Sequence, residues 1–142
     1  MKPSDFVIAL GVAVAVLVIT LAASFPMVAF YAYFIEPGHP QAFYSEAAQW
    51  IAPWSSHVLG PLAFFGLNYW LAKRNPRRNA MLFAAVTIGL YVIVDFGSLP
   101  LMGYDIRAAI TATSIASLGA KVVGALLGAR LGARRRSVLA HA

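Results

Sequence analysis

The chain has no cysteine, which excludes disulfides, thiolate-held zinc, iron–sulfur clusters and thiol redox chemistry. Charge is scarce as well: Asp, Glu, Lys and Arg make up 11% of the residues, and only five of these are acidic. Soluble domains carry about a quarter charged residues, so a water-soluble fold does not fit. No internal repeat or low-complexity segment interrupts the 142 residues, which leave room for one domain. What is abundant is apolar sequence, 61% of the chain, gathered into long runs.

Four runs reach the roughly 20 residues needed to cross a bilayer: Phe6 to Phe34, Ala48 to Leu71, Ala80 to Leu101 and Ala108 to Leu127. The first follows Lys2, and Leu21-Ala22-Ala23-Ser24 faintly resembles a leader cleavage site. Its apolar run is long for a leader and continues past that point, so it reads as the first span, with Pro26 as a kink. Short connections predict that sequential helices are antiparallel neighbours. The expected fold is therefore an all-α integral membrane protein, a four-helix up-down bundle over residues 1–131 with a basic tail over 132–142.

The net charge of +6 is concentrated in two places. Lys73, Arg74, Arg77 and Arg78 lie between spans two and three, and Arg130, Arg134, Arg135 and Arg136 follow span four. The connection after span one carries only Glu36, His39 and Glu46, and the turn Tyr104–Arg107 is neutral. The positive-inside rule then puts both termini in the cytoplasm. This makes the cations a topology signal, so lipid rather than nucleic acid is the expected partner. Composition suits a bacterial inner (plasma) membrane, with the Arg-rich tail frayed on anionic lipid. Tyr31, Tyr33, Phe34, Trp50, Trp54 and Tyr104 mark the outer boundary, and Tyr69 and Trp70 the inner one. In the outer loop Ser45 is the expected cap of span two. Pro53 and Pro61 predict an interfacial turn followed by a bend.

Within the spans the ionisable residues are His57, Asp95 and Lys121. Charge at that depth costs several kcal/mol unless paired or hydrated, so each placement is informative. At a rise of about 1.5 Å per residue, His57 and Asp95 lie at one level, about 13 and 12 Å from the outer boundary. Counted from Ile106, Lys121 lies about 22 Å down, in the inner half. Helical spacing aligns Thr87, Tyr91, Asp95 and Ser98 on span three. It also aligns Trp50, Trp54, His57, Pro61, Phe64 and Asn68 on span two, and Ser114, Ser117, Lys121, Gly124 and Gly128 on span four. Converging, these faces would enclose an outward-facing polar pocket around His57, Asp95, Ser98 and Ser114, with Ser56, Trp54 and Tyr91 beside it and Ser24 of span one as a further contributor.

Each feature also has a plainer reading. Asp95 can bridge helices by hydrogen bonds, and His57 can satisfy both ring nitrogens on serines and a carbonyl. Lys121 can snorkel to the cytoplasmic face, or pair with Asp95. Gly124 and Gly128, followed by Gly132, form a small-residue series fit for a close helix contact, within the chain or in a homo-oligomer. Glu36 and His39 are two metal-type ligands in a solvated loop, and His141 is remote from both.

Three functions follow. The first is binding or transport of a small polar or cationic molecule, proton-coupled through Asp95 and His57. In size and span number this is comparable to small multidrug-resistance exporters, but their essential glutamate in the first span has no counterpart between Asp5 and Glu36, and no membership follows. The second is a structural or accessory subunit. The third is an intramembrane enzyme with Ser98 or Ser114 as nucleophile, His57 as base and Asp95 as orienter, or one acting on lipid or quinone beside Tyr91, Trp54 and Asp95. A single histidine in the spans does not suit bis-histidine haem, and no cofactor is implied.

Overall fold

A computed structural model describes residues 1–75, 78–101, 103 and 105–139. The expectations for Arg77, Tyr104 and His141 fall outside this set. Among the described residues the chain is all-helical, with no strand: α1 (Pro3–Phe30, continued by a wider turn over Tyr31–Ile35), α2 (Gln41–Arg74), α3 (Ala80–Leu101), a single turn α4 (Ile106–Ala109) and α5 (Ala112–Leu139).

Local chemistry sets these boundaries. Pro3 opens α1, and the Asp5 carboxylate accepts the Lys2 backbone N–H at 2.8 Å. At the start of α3, the Asn79 side-chain oxygen accepts from the Leu82 N–H at 3.1 Å. α5 starts with a reciprocal cap: Thr111 Oγ1 accepts the Ser114 N–H at 3.1 Å and Ser114 Oγ accepts the Thr111 N–H at 2.8 Å. That cap corrects the expected start of span four at Ala108, because the chain turns once in α4 and begins α5 only at Ala112. Ser45 is not a cap either. α2 begins four residues earlier, behind Pro40, and the Ser45 hydroxyl donates back to the Gln41 carbonyl at 3.1 Å. No interfacial turn interrupts α2, since Pro53 and Pro61 both lie inside one helix of 34 residues. The backbone of α5 runs on to Leu139, past the expected tail boundary. The segment after Gly132 has neither Gly nor Pro, and Arg, Ala and Leu are strong helix formers.

Three stretches are long and apolar enough to cross a membrane: Pro3–Ile35, Ala80–Leu101 and Ala112–Arg134. α2 is long enough, but Ser55, Ser56, His57 and Asn68 dilute its middle. Around the bundle the packing order is α1, α2, α5, α3, with α3 closing onto α1. This departs from the expectation that all sequential helices are neighbours, because α2 and α3 touch only sparsely. α2 packs most extensively on α5, and the two run parallel: Pro61 meets Gly124, Phe65 meets Gly128 and Tyr69 meets Gly132. A Cβ at any of these glycines would overlap a backbone carbonyl of α2, so the small-residue face is spent inside the chain. Of the two uses read from the sequence, within the chain or in a homo-oligomer, the first is the one these contacts make.

Ala13, Val16, Phe64, Ala84, Tyr91, Ala125 and Ala129 form the centre of the core, and Ala9, Val12 and Phe83 extend it toward the N-terminal end. There Arg78 pairs with Asp5 at 2.7 Å and lies over the Phe83 ring at 4.3 Å. At the opposite end Tyr31 meets the Trp50 edge at 5.4 Å. The perimeter is apolar and exposed, as Val7, Phe25, Leu62 and Ile93 show.

Candidate functional site

The packing order leaves a cavity of about 290 Å³ between α2, α3 and α5, with Ala109 of α4 also in its lining. α2 lines it with Pro53, Ser56 and His57; α3 with Tyr91, Asp95, Phe96 and Leu99; α5 with Ser114, Ser117, Leu118 and Lys121. The three ionisable residues read from the spans therefore line one volume.

Lys121 is where the sequence expectation departs most from the structure. It neither snorkels nor lies in the inner half of its span: it is 5% exposed, and its ammonium donates to Ser56 Oγ at 2.8 Å. It also sits 5.0 Å from the Tyr91 ring centroid, a cation–π contact. The reason is the start of α5. From Ala112 to Lys121 the helix rises about 13 Å, which sets Lys121 in the first half of α5 and not in its second. Room for the stem comes from Gly60, where a Cβ would lie 2.6 Å from Lys121 Cε. Lys121 and Asp95 face the same cavity without a direct ion pair, because Ser56 takes the ammonium.

The two serines of α2 divide their tasks. Ser55, 2% exposed, donates to the Thr20 carbonyl of α1 at 2.8 Å and fastens two helices, whereas Ser56 turns to the cavity and receives Lys121. Tyr91, 1% exposed, is set edge-on against Phe64 at 5.1 Å, and its hydroxyl lies beside Asp95 and Ser56. Two polar atoms in the cavity wall are buried and without a partner: His57 Nδ1 and Ser117 Oγ.

No family model matches this chain, and no curated protein or solved structure matches it significantly. The site therefore has to be read from its own geometry.

Several expected members lie elsewhere. Ser98 is not in the wall; its hydroxyl donates to the Asp95 carbonyl at 2.8 Å. Trp54 is 59% exposed and reaches the site only through its ring, 6.1 Å from that of His57. Ser24 bonds the Leu21 carbonyl of its own helix at 2.7 Å. Ser114 is in the wall, but its hydroxyl is taken up by the cap of α5 and by the Ala109 carbonyl at 2.7 Å. The triad geometry is not assembled: Ser98 and Ser114 both donate to backbone carbonyls, and His57 Nδ1 contacts neither serine nor Asp95. Sequence reasoning placed Ser117 on the polar face of span four without assigning it a role, and it overlooked Gly60. Gly60 could not have been found from periodicity, because its importance depends on which residue of a distant helix lies opposite.

Chemically, the cavity offers an ammonium with hydrogens to spare, a carboxylate, an imidazole nitrogen and a free hydroxyl, against apolar walls from Phe96, Leu99 and Leu118. Such a mix of apolar lining and a few convergent polar groups is the usual form of a small-molecule site.

Proposed function

We propose that this is a four-span membrane protein, with both termini and the loop around Arg78 in the cytoplasm, that binds a small polar molecule in the cavity between α2, α3 and α5 as the binding step of transport. The observation that carries the binding reading is the convergence of His57, Asp95 and Lys121 on one cavity. Charged side chains inside a bilayer are expensive, and they gather where they pair, hydrate or handle a guest. The fourth span is supported by the outward face of α2, where Val58 is 57% and Leu62 61% exposed, a surface suited to lipid. The direction is supported by the Lys and Arg clusters.

A thermal-shift screen of the detergent-purified protein tests this. Wild type is compared with Asp95→Asn against metal ions, amines, amino acids, quinones and lipids at two pH values. A compound that stabilises wild type and not the variant supports a binding site at Asp95. A second reading draws on the Lys121–Ser56 bond, which is also a link between α5 and α2: the polar residues would serve only to fasten the bundle of an accessory subunit. It is the reading to hold if no compound separates the two proteins.

A further inference from the structure

We infer that the guest is a small zwitterion, its carboxylate received by Lys121 and Ser117 and its ammonium by Asp95; this rests on the binding reading above. Lys121 and Asp95 face one cavity, and neither neutralises the other by a direct ion pair. A simple cation entering the cavity would meet the Lys121 ammonium, and a simple anion would meet the Asp95 carboxylate. Like charges brought together in a low-dielectric site repel strongly. A molecule with both charges satisfies each wall and brings no net charge into the bilayer interior.

The remaining polar groups match that orientation. Lys121 uses one donor on Ser56 and keeps two. Ser117, one turn away on the same face of α5, is 6% exposed and its hydroxyl has no partner. Together they present donors to a carboxylate. On the facing side Asp95 is an acceptor, and His57 Nδ1 is buried without a partner. A volume of about 290 Å³ gives room for a molecule the size of a small amino acid.

The test uses the full chain in detergent and three matched probes: alanine, its methyl ester, which keeps only the positive charge, and propionate, which keeps only the negative one. Alanine should raise the melting temperature of wild type by about 8–10 °C at an excess of about 100-fold over Kd, with little response to the other two. Asp95→Asn should lose the alanine response and shift preference to propionate. Lys121→Met should lose it and shift preference to the methyl ester, and Ser117→Ala should weaken alanine several-fold with the preference unchanged. If the methyl ester stabilises wild type as well as alanine does, or if the alanine response survives Lys121→Met, the zwitterion assignment fails while the binding reading stands. If no probe, here or in the wider screen, stabilises wild type, both fail. The comparison of probes on wild type decides the matter even where a variant does not fold.

Discussion

A buried lysine and a glycine on another helix form one unit, because Lys121 can lie flat across α2 only where position 60 has no side chain. Gly60→Ala puts a methyl group into the Lys121 stem, and the expected cost is about 1 kcal/mol. The stem can move, and alanine's better helix propensity recovers up to about 1 kcal/mol, so the net change in wild type is small. In a Lys121→Ala background the clash is gone, and Gly60→Ala should become stabilising; chemical denaturation of the four proteins gives the cycle, and simple additivity would disprove the coupling. Lys121→Met should melt within about 5 °C of wild type or higher, since the ammonium bonds a neutral hydroxyl and not a countercharge, and an apolar chain of similar length removes the cost of burying it. A large loss of stability would mean that the ammonium fastens the bundle rather than serving a guest. That His57 and Asp95 belong to one level was legible from depth, and both line the cavity. The level of Lys121 was not, because it depended on where α5 begins, and the Thr111–Ser114 cap that decides this uses Ser at a position where Glu or Gln is the usual signal.

Among the helices, the parallel pair α2 and α5 sets the geometry of the site. Gly124, Gly128 and Gly132 bring the two backbones together, and this register places Lys121 opposite Ser56 and Gly60. Gly128→Ala would press a methyl group onto the Phe65 carbonyl, which as backbone cannot swing aside, and a loss of about 1–3 kcal/mol is expected. Gly119→Ala is the control: nothing lies within 4 Å of the added carbon, so helix propensity should make it neutral or stabilising by up to about 1 kcal/mol. Thermal melts of both variants check the pair, and equal behaviour would contradict the packing. At the N-terminal end, Asp5 and Arg78 hold α1 to the start of α3. Asp5→Asn and Arg78→Gln should each lower stability by less than Gly128→Ala, and the double variant should cost less than their sum, a coupling visible in a double-mutant cycle. The small-residue series was evident in the sequence, but its partner was not, since the same pattern serves contacts within a chain and between chains equally well.

For the whole molecule, the absence of cysteine makes topology directly measurable. Single cysteines at Gln41 and at Lys73, near the two ends of α2, should behave oppositely toward a membrane-impermeant maleimide on intact cells. The first should be labelled, and the second should react only after permeabilisation. Labelling of both from one side would show that α2 does not cross, and the four-span reading would fail. This matters because α2, alone of the four long helices, holds no stretch apolar enough by composition to count as a span, and it carries part of the polar wall. The outward face of its middle is nonetheless apolar, with Val58 and Leu62 exposed, while Ser55 turns to α1 and Ser56 and His57 to α5 and the cavity, which is how a diluted sequence can still present a lipid-compatible surface.

Composition and run length by themselves determined the all-helical class and three of the long apolar helices, because the hydrophobic length of a bilayer and the helical rise are general constants. Helical period placed Tyr91 with Asp95, and Ser117 with Lys121, because residues three or four apart share a face whatever the helix meets. Tertiary structure alone decided that α5, and not α3, lies beside α2, that the glycine face is used up within the chain, and that Lys121 joins His57 and Asp95 while Ser98 and Trp54 do not. These outcomes depend on the order and register of helices far apart in sequence, which follow from the fit of one surface to another and are not encoded in any single segment.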